Sequence, residues 1–207
     1  MTNEIQQPAE PTLVYDIGSN RYINLTNACT LKCAFCPKHN GSWEVKGHEL
    51  ALDFNPRAEA IIPALGNLDN VAEVVFCGFG ESTLRLEELL RVARFARSQG
   101  CRVRLNTDGL GNLVHKRNIV PELAACVDAV SVSLNAQNES LYNRHCRPTL
   151  SGSFQACLDF IAEAAATMED VTVTAIEGLD GVNIAACEKL ATERGAKFRK
   201  RILNEVG

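Results

Sequence analysis

Three cysteines lie within one short segment of the chain, at the spacing C-x3-C-x2-C: Cys29, Cys33 and Cys36. That spacing lets a single loop direct three thiolates at one inorganic cluster. A [4Fe–4S] cluster has four irons, and electron-transfer proteins usually bind each of them with a cysteine. A loop that supplies three ligands would leave one iron open to bind and activate a small molecule.

Zinc is the alternative metal for this segment. His39 follows the last cysteine and would complete a Cys3His set, and structural zinc sites are closed tetrahedral sites of that kind. Zinc-binding cysteines more usually come in C-x2-C pairs. The first spacing of three and the apolar Phe35 directly before Cys36 therefore favour the iron–sulfur cluster.

Length and composition fit one folded domain. The chain has 207 residues, of which 46% are hydrophobic, and this is enough for a single core. The net charge is -4 with scattered lysines and arginines, so nonspecific nucleic-acid binding is not indicated. No apolar run has the length of a membrane span, and the N-terminus lacks signal-peptide features, so we expect a cytoplasmic protein. Residues 1–12 are expected to form a loose tail, and residues 13–207 one domain.

Strand and helix patterns alternate along the rest of the chain. Short apolar runs predict strands, and amphipathic runs with a period near 3.6 residues predict helices. The clearest helix is 86–98, with acidic residues in its first turn, arginines near its end and Gly100 just beyond. The predicted strands are 13–17, 22–26, 74–77, 102–106, 129–134, 171–176 and 197–202, and the predicted helices begin near 55, 86, 119, 154 and 183.

This alternation predicts an α/β fold with a parallel sheet and about six strand–helix units. A closed barrel has eight such units and typically uses ~250 residues. We therefore expect an incomplete (β/α)6 TIM-like barrel that is open at its side. A flat, doubly wound sheet is the competing architecture.

Polar motifs follow the predicted strands at the end where such folds bind ligands. The cysteine segment follows the first barrel strand, and the run 78–81 follows the second. Asp108-Gly109, after the third, has the composition of a routine turn. The later strands are followed by Asn135 and Glu177. All of these motifs would meet at one rim of the sheet.

The same motifs resemble the radical S-adenosylmethionine (radical SAM) superfamily. The resemblance rests on the cysteine spacing, on Gly78-Phe79-Gly80-Glu81 about forty residues later, and on the segments 106–109 and 131–135. Phe79 interrupts the paired glycines that the family usually has there. The lead-in at 22–27 and the chain length look most like the small radical SAM subgroup associated with TatD-type nucleases.

The resemblance implies which residues bind the cofactors. Cys29, Cys33 and Cys36 would bind a [4Fe–4S] cluster, and S-adenosyl-L-methionine (SAM) would chelate the fourth iron. Phe35 would pack near the adenine ring. The other implied SAM-binding residues are Gly78, Phe79, Gly80, Glu81, Asn106, Ser133 and Asn135. The last two could equally cap the turn after their strand, and the glycine segment could be an ordinary strand-to-helix turn.

The implied reaction is the reductive cleavage of SAM at the cluster to a 5′-deoxyadenosyl radical, which abstracts hydrogen from an unidentified substrate. A flavodoxin or ferredoxin-type protein would donate the electron. An open barrel suits a bulky substrate, such as a peptide, a protein or a nucleotide. His145 and Cys146 follow the fourth barrel strand and are candidate proton or hydrogen donors. Packing on the barrel rim is their alternative role.

Two other functions fit the sequence. A glycyl-radical activating enzyme or a 7-carboxy-7-deazaguanine synthase-like enzyme would be a small member of the same superfamily. A zinc- or cluster-stabilised binding module without catalysis would belong to another class. The binding module predicts that the polar motifs at the strand ends meet by accident.

Overall fold

The computed structural model describes residues 11–203. Two short strands, β1 (Val14–Ile17) and β2 (Asn20–Ile23), open this part as an antiparallel hairpin. A second small hairpin follows, formed by β3 (Glu44–Val45) and β4 (His48–Glu49). The chain then alternates in the order α1 (Ala58–Leu65), β5 (Glu73–Phe76), α2 (Leu86–Ser98), β6 (Arg102–Thr107), α3 (Gly111–His115), α4 (Val120–Ala124), β7 (Ala129–Ser133), α5 (Glu139–Cys146), α6 (Ser153–Thr167), β8 (Val171–Glu177), α7 (Ile184–Thr192) and β9 (Lys197–Ile202).

Seven strands form one sheet, in the order β1-β2-β5-β6-β7-β8-β9. All neighbours from β2 to β9 are parallel. A doubly wound sheet reverses its strand order at a switch point, whereas these strands follow chain order across the sheet. Right-handed crossovers in one constant direction place the connecting helices on one face. The predicted incomplete barrel is therefore confirmed, and within residues 11–203 the sheet stays open, with β1 and β9 as its edges.

The outer face of the sheet packs against the helices in the main hydrophobic core. Alternate strand residues such as Ile23, Phe76 and Leu105 are buried there, because successive side chains of a strand point to opposite faces. Helix α2 packs Leu89 and Val92 onto the same core. In the described part of the chain, no helix is both long and apolar enough to cross a membrane.

The sheet curves strongly enough for distant strands to face each other. Arg201 lies in β9 and Cys77 directly follows β5, four strand positions away. In a flat sheet that separation would be about 19 Å, at roughly 4.8 Å per strand. Burial lowers the pKa of the Arg201 guanidinium, and Cys77 is nevertheless close enough across the sheet to raise it. The inner side of the sheet is therefore a concave face across which side chains interact.

Some local elements differ from the sequence-based prediction. Helices α3 and α5 and the hairpin β3–β4 were not predicted, because each is too short to show a clear hydrophobic period. Helix α1 begins at Ala58, after the predicted start at Asn55-Pro56, and it contains Pro63. Residues 1–10 of the predicted tail lie outside the described residues. Thr12, at the end of that tail, accepts a hydrogen bond from Asn24 Nδ2 at 2.9 Å.

Candidate functional site

The cysteine loop (residues 28–36) lies at the carboxyl end of the sheet, just after β2. Its backbone is held by the 145–149 segment, which ends α5 and continues beyond it. The backbone hydrogen bonds include Lys32 N to Cys146 O at 3.1 Å, Ala34 N to His145 O at 2.8 Å and Thr149 N to Thr30 O at 2.9 Å. An isolated antiparallel bridge between Leu31 and Pro148 adds to them. The loop is thus fixed by residues more than a hundred positions away along the chain.

His145 and Cys146, the predicted proton or hydrogen donors, are both buried. The His145 Nε2 atom hydrogen-bonds with Asp180 O at 2.8 Å, which anchors the ring to the loop after β8. The Cys146 thiol lies beside Cys33 and raises the pKa of that cysteine. The main-chain carbonyls of both residues bind the cysteine loop, so the pair has a structural role there. A catalytic role for either residue stays a prediction.

The three predicted metal ligands are free, half-buried thiols. Cys29 and Cys33 pack against the main core, whereas Cys36 packs against a smaller cluster that contains Tyr15 and Phe79. Among residues 11–203, no three side chains of His, Cys, Asp or Glu lie at metal-holding spacing. For one cluster to take all three thiols, their side chains would have to turn toward a common point.

Protonation also bears on metal binding. Burial raises the pKa of Cys29 to about 12 and raises the pKa of Cys36. The neighbouring Cys146 thiol, and then burial, raise the pKa of Cys33. Because a metal binds the thiolate form, loading this loop releases protons. Lys38 assists at Cys36, because its positive charge favours that thiolate.

The donor set fits an iron–sulfur cluster. Soft thiolates are the ligands that iron–sulfur clusters prefer. All three thiols come from one loop and are sheltered from solvent, whereas the histidine that zinc would need, His39, is exposed. Lys38 Nζ donates to Asn27 O at 3.0 Å and to Phe79 O at 2.7 Å, so its charge is held beside the loop. The residues present therefore suit the cluster better than a Cys3His zinc site.

The segment 78–81, after β5, lies directly against the cysteine loop. Glu81 N donates to Ala28 O at 2.8 Å. A Cβ atom at Gly80 would lie 1.9 Å from Thr26 O and 2.8 Å from Ala28 O. Only glycine permits so close an approach of two backbones. In this structure Gly80 therefore serves the contact between two loops of the protein.

Gly78 and Phe79 extend this contact. A Cβ atom at Gly78 would lie 2.9 Å from Asn24 Oδ1, which is buried without a hydrogen-bond partner among the described residues. Phe79 is buried, and its ring meets the edge of Trp43 with the ring centroids 5.8 Å apart. The two aromatic rings cover this side of the loop.

Both carboxylate oxygens of Glu81 are used within the protein. Oε1 accepts hydrogen bonds from Thr83 N at 3.0 Å, Thr83 Oγ1 at 2.8 Å and Thr107 Oγ1 at 2.9 Å. Oε2 accepts from Asp108 N at 2.7 Å. The buried Glu81 side chain therefore joins the loops that follow β5 and β6.

Asp108 is a further member of the site. Its Asp-Gly pair is typical of a routine turn in the sequence, but the structure gives it a buried role. Its carboxyl group is buried, accepts from Leu110 N at 2.9 Å and is hydrogen-bonded by Thr30 Oγ1. Burial, and then the charge of Glu81, raise the pKa of Asp108 well above its ordinary value, which favours the protonated form. Because Thr30 belongs to the cysteine loop, this network ties the loop to two strands. The sequence feature that could have indicated this network is the position of Glu81 and Asp108, each within a few residues of the end of one of two neighbouring strands.

Replacing Glu81 with glutamine is expected to lower the free energy of unfolding by about 2–4 kcal/mol. The glutamine carboxamide has one acceptor oxygen, whereas the carboxylate has two. Its NH2 group would face a buried donor and leave that donor without an acceptor. Chemical denaturation measures the change. The control is Glu87→Gln, at an exposed position in the first turn of α2, with an expected loss of about 0.5 kcal/mol or less. Equal losses in both variants would contradict the role given to Glu81.

The remaining predicted SAM-binding residues lie in different surroundings. Asn106 and Ser133 are half-buried on the concave face, and Asn106 Oδ1 already accepts from Arg104 Nη1 at 2.9 Å. Phe35 packs against the main core. Asn135 is buried with a positive φ of 61°, and its Oδ1 atom has no hydrogen-bond partner among the described residues. Of this group, Asn135 presents the unsatisfied acceptor.

Solved structures share this fold at low sequence identity. SuiB of Streptococcus suis, solved with its precursor peptide SuiA, is 15% identical with a TM-score of 0.68, and the match covers 89% of this chain and 39% of SuiB. TYW1 with a lysine-pyruvate adduct is 13% identical with a TM-score of 0.60, at 91% and 67% coverage. The protein anSMEcpe with bound AdoMet is 17% identical with a TM-score of 0.56, at 89% and 50% coverage. The chain therefore spans about two fifths of SuiB and half of anSMEcpe.

The family itself is identified from the sequence. A comparison with curated proteins finds no match. The profile of the Radical SAM superfamily matches residues 23–193, which include the cysteine loop, the segment 78–81 and the ends of β5 to β8. Members of this family are enzymes that use a [4Fe–4S] cluster and SAM. The match covers most of the chain, and this protein therefore belongs to the radical SAM superfamily.

Proposed function

We propose that this protein binds SAM at the cysteine loop, cleaves it reductively and abstracts a hydrogen atom from its substrate. When bound, the two cofactors supply the electron that breaks the C5′–S bond and the 5′-deoxyadenosyl group that takes the hydrogen atom. Cys29, Cys33 and Cys36 would hold the cluster. The rest of the reaction depends on how the protein positions SAM and excludes water.

The observation that carries this proposal is the unsatisfied Asn135 Oδ1 near the cysteine loop. Asn135 Nδ2 contacts Cys146 Sγ at 3.9 Å, and the main-chain oxygen of Cys146 accepts a hydrogen bond from Lys32 N of the cysteine loop at 3.1 Å. A buried amide oxygen without a donor costs about 1–3 kcal/mol. A ligand that brings a donor would remove this cost, and the ammonium group of SAM is such a donor. We assign Asn135 Oδ1 as its acceptor.

Other residues would fix the geometry. The Glu81–Asp108–Thr30 network holds the loop against two strands, and the 145–149 segment holds it from the other side. Such rigidity matters because a displacement of about 1 Å at a reacting centre costs roughly 10²-fold in rate. The Trp43 and Phe79 rings would keep water from the loop.

Substrate, partner and location belong to the same proposal. SuiB was solved with a precursor peptide, and the open side of the present sheet would admit a substrate of that kind. We therefore favour a peptide or another macromolecule as substrate, and a flavodoxin or ferredoxin-type protein as electron donor. The nine free cysteines support a reducing, cytoplasmic location. Membership of the TatD-nuclease-associated subgroup stays a prediction that rests on residues 22–27 and the chain length.

Anaerobic reconstitution tests the proposal. The full chain, loaded with iron and sulfide and reduced with dithionite, should be brown and should convert SAM to 5′-deoxyadenosine. A colourless protein that retains zinc and does not react with SAM would instead support the non-catalytic binding module. The assay needs no knowledge of the substrate, because cleavage of SAM is measured directly.

Asn135→Gly tests the assignment of the acceptor. Glycine keeps the positive φ without strain and removes Oδ1. We expect the dissociation constant for SAM to rise about tenfold, the equivalent of one hydrogen bond to a charged group, while iron content is unchanged. The control is Asn143→Ala, on the exposed side of α5. Unchanged SAM affinity in Asn135→Gly would contradict the assignment.

A further inference from the structure

Strand β9 presents arginines to the concave face at the open edge of the sheet. Arg199 and Arg201 pair in register with Thr174 and Ile176 of β8, so they lie on the inner side of the sheet. Phe198, directly before Arg199, packs against the main core on the outer side. Two guanidinium groups on one strand therefore face the same space as the ends of the other strands.

These two arginines differ from the other basic residues of the concave face. Arg104 is paired with Glu73 at 2.8 Å, and Lys197 with Asp170 at 3.1 Å. Within residues 11–203, neither Arg199 nor Arg201 forms a side-chain hydrogen bond or an ion pair with the protein. Among the residues that the structure describes, no carboxylate pairs with either positive charge.

The surroundings of Arg201 mean that two unpaired arginines on β9 lower the stability of the fold when no anion is bound. The side chain is half-buried, and burial lowers the pKa of its guanidinium. Cys77 raises this pKa in part, and the like charge of Arg199 lowers it. Two adjacent cations, one of them partly desolvated, destabilise the fold unless an opposite charge lies between them. A guanidinium pair of this kind matches the oxygens of a carboxylate or a phosphate.

We propose that Arg199 and Arg201 bind an anionic group of the substrate, a carboxylate or a phosphate, on the concave face. The inference rests on the proposed function, since it takes the occupant of this face to be the substrate. Arg199 and Arg201 lie in the half of β9 that is in register with the carboxyl end of β8, which is the end of the sheet where the cysteine loop lies. The anion site therefore belongs to the same concave space as the cofactor site. It lies on β9, at the opposite end of the strand order from β2 and the cysteine loop.

The test is anion binding by the full-length protein, measured by calorimetric titration and by the shift in thermal unfolding. The probes are inorganic phosphate and acetate, with sodium chloride at matched ionic strength as the reference. The variants are Arg201→Gln and Arg199→Gln, and the second covers the case in which the first fails to fold. The matched control is Lys200→Gln, on the same strand, whose side chain pairs with Glu177 at 2.9 Å.

We expect wild type and Lys200→Gln to bind one of the two probes equally well, and both arginine variants to bind it at least about tenfold more weakly. The tighter probe shows whether the group is a phosphate or a carboxylate. Equal binding by all four proteins, or no binding beyond that of chloride by wild type, would overturn the proposal.

This titration contains no SAM, so it separates the two proposals. A wild-type protein that binds the anion through the arginines but forms no 5′-deoxyadenosine would refute the proposed function alone. A wild-type protein that cleaves SAM but shows no arginine-dependent anion binding would refute the anion site alone.

Discussion

Replacing Cys33 with alanine is expected to abolish both the iron–sulfur cluster and the cleavage of SAM. In the proposed site the three thiolates of Cys29, Cys33 and Cys36 would bind three irons, and the fourth iron would have no cysteine ligand. Loss of a further ligand would leave two irons without a cysteine. We expect that the loop would not retain a cluster bound in this way. Iron and sulfide content, the visible spectrum and 5′-deoxyadenosine formation after dithionite reduction should all fall to background.

The control for this variant is Cys187→Ala. Cys187 is buried in α7, and this helix packs against both β8 and β9. This variant removes a thiol of similar size and should keep full cluster content and turnover. A Cys33→Ala protein that remains brown, or that still forms 5′-deoxyadenosine, would contradict the ligand assignment. Loss of the cluster in both variants would point to a general effect on folding.

Replacing Gly80 with alanine is expected to lower the free energy of unfolding by about 3 kcal/mol, the upper end of the usual cost of overpacking. The added methyl group would meet the backbone oxygens of Thr26 and Ala28 and no flexible side chain. The two loops would have to separate, and the Glu81 N to Ala28 O hydrogen bond would be lost with them. Chemical denaturation measures the loss, and iron content reports whether the separated loop still takes up the cluster.

Gly41→Ala is the matched control for Gly80→Ala. Gly41 has a φ of 84° and no heavy atom within 4 Å of the position of an added Cβ atom. Alanine there costs only backbone strain, about 1–2 kcal/mol. If Gly80→Ala costs no more than this control, the close approach of the two loops is not what requires glycine at position 80.

The order of strands and helices could be predicted from the sequence, because hydrophobic periods and helix ends are local signals. The segments around β5, α2, β6 and β7 were predicted within a residue or so of their bounds. The hairpin β3–β4 and helices α3 and α5 were missed, since such short elements owe their form to the surface on which they pack. The open barrel followed from the number of units and the length of the chain.

The site was predictable only as a set of residues that share one rim. The cysteine spacing predicted the loop, and the strand ends predicted which segments surround it. The buried Asp108 was interpreted as a turn, because an Asp-Gly pair looks the same in both settings. The exclusion of a Cβ atom at Gly80 by Thr26 and Ala28 is a contact between segments more than fifty residues apart, and no local pattern encodes it.

The pairing of the cysteine loop with the 145–149 segment has a consequence for the order of folding. Thr149 Oγ1 bonds Thr30 O across 119 positions of sequence. Contacts of such high separation form late, after the intervening units have closed the distance. During synthesis, before residue 149 has left the ribosome, the cysteine loop lacks the hydrogen bonds that the 145–149 segment gives it. If the loop binds the proposed cluster, we therefore expect iron and sulfide to be taken up only after translation has passed α5.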